Sequence, residues 1–383
     1  MQASEPITHC AGFDWARDHH AVVVVDQAGT IVAEFKFAHD QEGRQSFRDK
    51  TQGLANLAIA IETNQGIVVE QLLQYGYRLY PVAAASYRQR KTPSGTETNH
   101  FDAWALADAL RLEGQGWKPL QPLDEQTLQL RLLCQDQMLL IQQRTLLINQ
   151  LRQALVAAGR RRWEKFLHTH RLWRPETAAK RLAIFARAAQ FGGSLPWVKA
   201  KSQLALSLCR VLRSLQAQLE QYRQQIKRVF DSHPDRDLFG SLPGAKQVLA
   251  PRLLAAVGAD PNRYDNRCEV LQAFAGTAPI SFQSGQLAKT RIRRACDKFL
   301  RQTVPLWANC FRRRSGWGRA YYQKKRAAGK SHACALRCLG QRLLKILLSI
   351  ILHQTPYDAQ LHARNQLKHG SWVLSLVHQN APA

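Results

Sequence analysis

The chain has 383 residues, 45% of them hydrophobic, with a net charge of +26 and a pI near 10.3. That length predicts two or three domains with real cores, and that charge calls for a polyanionic partner, nucleic acid ahead of an acidic membrane surface. The eight cysteines form no CxxC pair and no zinc-finger spacing with histidine, which argues against a zinc or disulfide scaffold.

MQASEPITHC lacks the basic-then-apolar order of a signal peptide, and the longest apolar run, LLKILLSIIL, is interrupted by Lys345 and is too short for a membrane span. A cytoplasmic protein without a membrane partner is expected.

Residues 9–113 alternate strand-like and helix-like pieces. CAGFDWA is a short apolar stretch reaching Asp14; HAVVVVD is β-branched and reads as a strand; DQAG is a turn; and TIVAEFKF returns as the next strand. A polar helix near 41–52 follows. LAIAIET is a buried-type strand ending on Glu62, GIVVEQLLQYGY has helical spacing, and RLYPVAA is another short strand. Hairpin-linked strands followed by helix–strand–helix–strand–helix predict a mixed sheet with helices packed on it.

PLQPLD at 119–124 breaks this pattern. Beyond it a helical stretch carries Leu130, Leu133, Leu140, Leu147 and Leu151, a seam interrupted by Gln137 and Arg144. A second carries Leu204, Leu208, Val211, Leu215, Leu219, Tyr222, Ile226 and Val229, which is heptad spacing with one four-residue stutter. A helical hairpin or an oligomerising coiled coil is expected, the ordinary bundle being the alternative. The boundaries read as 1–118 for the mixed-sheet domain, 119–235 for the helical region and 236–383 for a mostly helical C-terminal domain, giving an α/β plus α chain.

LFGSLPGAKQVLAPRLLAAVG, 238–258, reads as helix–turn–helix with its bend at PG. It resembles a helix-hairpin-helix, whose turn aims backbone N–H groups at phosphate. That motif usually has a second glycine where Lys246 stands, and Lys246 is a candidate phosphate contact. Residues 289–330 hold fourteen Lys/Arg and one acid, Asp297. The candidate nucleic-acid contacts there are Lys289, Arg291, Arg293, Arg294, Arg301, Arg312, Arg313, Arg314, Lys324 and Lys325. Trp307, Phe311, Trp317, Tyr321 and Tyr322 lie among them as candidate base-stacking rings. RRRWEK at 160–165 is a smaller basic patch.

Three acids stand out. Asp14 and Glu62 end strands, and Asp102 opens a later helix. Hard oxygen ligands in such an arrangement suit Mg²⁺ in phosphodiester cleavage. Strand–Asp, strand–Glu, helix–Asp is the order an RNase H-like core requires. A local reading of Asp102 competes: Asn99 is a good N-cap, and an acid three residues on favours the first turn.

These residues, within GFDWARDHHAVVVVD, AIETNQG, SGTETNHFDAWALADALR, LFGSLPGAKQVLAPRLLAAVG, FAGTAPISFQSG, TRIRRACDKFLRQ and SIILHQTPYD, resemble the DEDD-type (RuvC-like) insertion-sequence transposases of the IS110 family. The resemblance implies an RNase H-like N-terminal domain and a coiled coil. It also implies a DNA transposase or site-specific recombinase directed by a guide (bridge) RNA and working as a dimer or tetramer. It places the family's acids on Asp14, Glu62 and Asp102, with Mg²⁺ or Mn²⁺ as cofactor. The remaining acid of the pattern falls on Asn99, which ligates without charge and so weakens metal affinity. Glu97 is the nearby acid that could substitute; Asp108, six residues past Asp102, lies on roughly the opposite helix face. The resemblance also implies a serine nucleophile at Ser284, in PISFQSGQ, with Ser281 as its rival. Read from the residues alone, Ser284 is a plain Ser-Gly turn, and only the resemblance makes it a nucleophile. A metal-dependent nuclease or junction resolvase, and a catalytically impaired nucleic-acid-binding protein, are the alternatives.

Overall fold

The computed structural model describes residues 6–64, 66–82, 98–157, 183, 195–285 and 287–371. Glu97 and the RRRWEK patch lie outside them. The chain divides into two compact units, Met1–Pro122 and Leu123–Ala383.

The first unit is built on a five-stranded sheet: β1 (His9–Asp14), β2 (His19–Asp26), β3 (Ile31–Ala38), β4 (Leu57–Ile61) and β5 (Arg78–Pro81), in the order β3-β2-β1-β4-β5. The β1–β2 and β2–β3 pairs are antiparallel; β1–β4 and β4–β5 are parallel. Short turns make the first two pairs hairpins. The parallel pairs need crossovers, supplied by helix α1 (Gln41–Thr51) and helix α2 (Ile67–Gln74). Strand alternation sorts the core into two layers. Phe13, Val22, Val24, Ile59 and Ile61 pack with Phe47 of α1 and with Val68 and Leu72 of α2. Cys10, Val23, Val25, Ala58 and Ala60 pack with Ala103, Leu106 and Leu110 of helix α3 (Asn99–Glu113). The mixed sheet expected from the sequence is present.

In the second unit, α4 (Glu125–Ala157) and α5 (Pro196–Asp231) run along one another within the chain. The indole N–H of Trp197, at the start of α5, donates to the Ala157 carbonyl at the end of α4 (3.0 Å), so the pair is antiparallel. Leu151, Ala154 and Leu155 meet Ala205, Leu208, Cys209 and Leu212 in its core. Gln137 is no interruption of the seam: it is buried and accepts a hydrogen bond from Arg252 Nη2 (2.9 Å). Leu204 and Val211, which the heptad count put in the seam, are exposed. So is a stripe on α4 at Leu132, Leu139 and Leu146, which are 47%, 59% and 56% exposed.

The remaining elements are α6 (Arg236–Gly240), α7 (Lys246–Val257), α8 (Cys268–Phe274), a ribbon of β6 (Ile280–Ser284) and β7 (Leu287–Arg291), α9 (Lys298–Arg312), α10 (Gly316–Ala327), α11 (His332–His353) and α12 (Ala359–Lys368). Helices α7, α9 and α11 enclose a core centred on Trp307, with Phe239 and Phe311 beside it. The first half of α4 joins this core through Leu130 and Cys134. Buried Arg131 pairs with Asp297 and also donates to the carbonyl of Ala256 (3.3 Å). Among the described residues no helix is long and apolar enough to cross a membrane.

Candidate active site

Parallel register sets the two strand acids side by side. Phe13 pairs with Ile61, so Asp14 and Glu62 are the next positions on adjacent strands, about 4.8 Å apart across the sheet. Alternation gives Asp14 the face of Cys10 and Gly12, and Glu62 the face of Ala58 and Ala60, which is the face α3 covers.

Helix α3 lies against β1 because Gly12 has no side chain. A Cβ there would stand 1.8 Å from the Ala103 carbonyl oxygen and 2.5 Å from the Ala107 nitrogen. The far end of α3 is fixed at the opposite end of β1, where Arg111 Nη1 donates to the Gln27 carbonyl (3.4 Å). The helix therefore runs against β1, with its N-terminal turn and Asp102 toward Asp14. The N-cap is Thr98, whose Oγ1 accepts from the Phe101 N–H (3.2 Å). This corrects the assignment of that cap to Asn99, which is the first helical residue. Asp108 is turned away and binds Arg111 (2.6 Å).

The three acids share one electrostatic field. Burial first, and then the charges of Asp102 and Glu62, together push the Asp14 carboxyl up to about 6. As placed, the side chains do not close into a cage. Among the described residues no group of three or more His, Cys, Asp or Glu is arranged to hold a metal ion.

Ser284 lies on the ribbon, every described residue of which is exposed. It ends β6 opposite Leu287, and Gly285 takes the left-handed φ of +56° that the turn requires. Alternation puts Ile280, Phe282, Ser284, Leu287, Lys289 and Arg291 on one face, and Ser281, paired with Thr290, on the other. The Arg291 guanidinium sits over the Phe282 ring, 5.1 Å from its centroid.

The basic tract divides. Lys246, Lys289, Arg291, Arg294, Arg313, Arg314 and Lys324 are exposed. Arg293, Arg301, Arg312 and Lys325 are half-buried; Arg312 stacks on Tyr322 (4.5 Å) and Lys325 on Tyr321 (5.5 Å). The stacking role expected of the aromatics fails for three of them. Trp307, Phe311 and Tyr321 are core residues at 0%, 1% and 6% exposure, because helical spacing turns them inward. The Trp307 N–H is also used, donating to the Pro243 carbonyl (2.9 Å). Lys246 holds a φ of +47°, the left-handed conformation that explains why glycine is usual there.

Two family models match the chain and together span more than half of it. A DEDD transposase model of IS110 type matches residues 11–159, which contain all three acids. A model described as transposase, IS116/IS110/IS902 family, matches residues 236–323, which contain the ribbon and most of the basic tract. The chain belongs to the IS110/IS116 family of transposases. It is 26% identical to the mini-circle putative transposase for IS117 of Streptomyces coelicolor, over 93% of this chain and 97% of that protein. It is 25% identical to an uncharacterized 42 kDa protein of the insertion element IS900 of Mycobacterium paratuberculosis, over 91% of this chain and 96% of that one. A putative transposase of Sinorhizobium fredii is 32% identical over 32% of this chain and 37% of its own length.

For a transposase of this family the donor chemistry at Asp14 suits a divalent cation. Carboxylates are hard ligands, and acids that raise one another's proton affinity are relieved by a dication among them. Sequence reading missed a histidine pair on the other face of the sheet from the acids. His20 is buried, its Nε2 lies 2.8 Å from His39 Nδ1, and its ring is 4.6 Å from that of Trp15, next to Asp14. Burial first, then His39 and His19, hold His20 down near 4, so it is a neutral packing group. No spacing in the sequence announces that pair.

Proposed function

We propose that this transposase cuts and rejoins DNA with an RNase H-like acid site and a serine nucleophile. What supports the acid site is the register that sets Asp14 beside Glu62 on the face α3 covers, where burial, joined by the charges of Asp102 and Glu62, lifts Asp14 to about 6. Asp14, Glu62 and Asp102, with the Asn99 carbonyl, hold Mg²⁺ or Mn²⁺. The cation, when bound, supplies charge to offset the phosphodiester oxygens. The residues themselves orient the strand, and Asn99 in place of an acid lowers the charge available to the ion.

Ser284 Oγ attacks a scissile phosphorus: the Oγ–P bond forms as a strand P–O bond breaks, the serine proton passes to solvent water, and the departing strand oxygen takes up a proton and leaves as a hydroxyl. Rejoining reverses the exchange, so the bond energy is kept. Its place beside the turn and the Lys289 and Arg291 cations on its own face support Ser284 over the equally exposed Ser281. The exposed cations of the tract bind DNA and guide RNA. The bridge-RNA guide rests on the resemblance alone. A homo-oligomer joined along the α4–α5 pair is supported by the exposed leucine stripe. The 119–235 helical region is then the assembly module, between an acid domain and a nucleophile domain.

The test is an integration assay with the element's own flanking sequences, run on wild type, Ser284→Ala, Asp14→Ala and Asn99→Asp. Joined product should disappear in the first two variants. Metal-dependent nicking that persists in Ser284→Ala would instead mark a nuclease with a structural serine. A wild type that neither joins nor nicks while still binding DNA would mark the impaired binder that Asn99 favours.

A further inference from the structure

The second unit contains a cleft that the transposition chemistry does not use. It lies among α10, α11 and α12 and has a volume of about 630 Å³. Pockets of roughly 300–1,000 Å³ hold one small molecule, and a duplex cannot enter one. Its wall is aromatic. Half-buried Trp317 stands 5.2 Å from the His362 ring, and Tyr357 5.7 Å from the same ring. His362 is fixed on both sides, by the Tyr357 hydroxyl at Nδ1 (3.3 Å) and the Gln366 amide at Nε2 (2.8 Å). Burial lowers its proton affinity, so it presents a neutral ring.

The rim is cationic. Arg342, Lys345 and Ser349 are exposed along one stripe of α11 and line the cleft. The acid on the lining, Asp358, is committed elsewhere: its Oδ1 caps α12 by accepting from the N–H groups of Gln360 (2.7 Å) and Leu361 (3.2 Å). Asn365 and His369 add hydrogen-bonding edges. A flat ring bearing a phosphate meets this arrangement at each point: stacking on the wall, charge at the rim, polar edges between.

The geometry points to a binding site for one unstacked nucleotide of a single-stranded nucleic acid, seated between the Trp317–His362–Tyr357 wall and the Arg342/Lys345 rim. It rests on the reading that the protein handles nucleic acid and not on the acid site, so the test is run in EDTA.

The full-length protein is photocross-linked to single-stranded RNA carrying 4-thiouridine and, separately, to single-stranded DNA carrying 4-thiothymidine, and the adducts are mapped by mass spectrometry. Adducts are expected on the peptides carrying Trp317, Tyr357 or His362, and whichever strand gives them names the source. Ser349→Trp fills the cleft from an exposed position, and Lys345→Glu reverses the rim charge. Each should lower those adducts at least tenfold while duplex DNA affinity stays within twofold and circular dichroism is unchanged. Adducts confined to other peptides on both strands, or cleft adducts unmoved by Ser349→Trp, overturn the assignment.

Discussion

Gly12 and Ala103 touch through their backbones: a Cβ on Gly12 would lie 1.8 Å from the Ala103 carbonyl oxygen. One missing side chain thus lets the helix that carries Asp102 settle on the strand that carries Asp14. Gly12→Ala should force α3 outward and destabilise the first unit by about 1–3 kcal/mol, as overpacking does. Thermal denaturation measures the loss. A variant as stable as wild type would mean that the helix is not seated there.

The raised Asp14 proton affinity gives a pH signature. Between the ordinary carboxylate value and about 6 the folded state binds the extra proton. Stability is therefore lost as pH rises through that window, and the penalty is fully present above it. In metal-free buffer Asp14→Asn should melt higher than wild type at pH 8, by a few degrees at most because the site is partly solvated and screened. The gain should shrink through that window and vanish only at about pH 2–3, below the ordinary carboxylate value, where Asp14 is protonated in both states. An equal gain at both pH values would disprove the raised proton affinity of Asp14.

Asn99 stands at the first position of α3, three residues before Asp102. Asn99→Asp adds a charge beside the acids, and the helix N-terminus tolerates it. Mg²⁺ affinity should rise on the order of tenfold, roughly 1.4 kcal/mol, as ligand charge tunes hard-cation sites. Isothermal titration reads this directly, and an unchanged affinity would remove Asn99 from the ligand set.

Leu132, Leu139 and Leu146 recur at seven-residue steps on the outside of α4. Leu139→Glu should lower the oligomeric state seen by light scattering while leaving the melting temperature nearly unchanged, as exposed substitutions do. Retention of the wild-type mass would leave the stripe without a role in assembly.

Much of the first unit was legible because its signals are local. Val22 to Val25 spell a buried strand, the polar helix expected near 41–52 is α1, and the DQAG turn closes a hairpin. The strand acids were legible for the same reason, since each ends an apolar run. Thr98 was not, because an N-cap competes with its neighbours within one residue and both Thr and Asn are good caps. The aromatics at 307, 311 and 321 were misread because composition alone cannot say which side of α9 and α10 meets the core. The exposed stripe at Leu132, Leu139 and Leu146 was passed over, because the neighbouring Leu133, Leu140 and Leu147 repeat at the same seven-residue step and spacing alone cannot say which row meets the core. The cleft was not legible, because Trp317, Arg342 and His362 come together only when three helices pack.

The most direct measurement is Mn²⁺ binding to the full-length protein at pH 7.5, followed by electron paramagnetic resonance. Wild type should bind Mn²⁺ at a site that Asp14→Asn and Asp102→Asn each weaken at least tenfold and that excess Mg²⁺ displaces. Mn²⁺ binding that is absent in wild type, or indifferent to both substitutions, would contradict an acid site at the meeting of β1, β4 and α3.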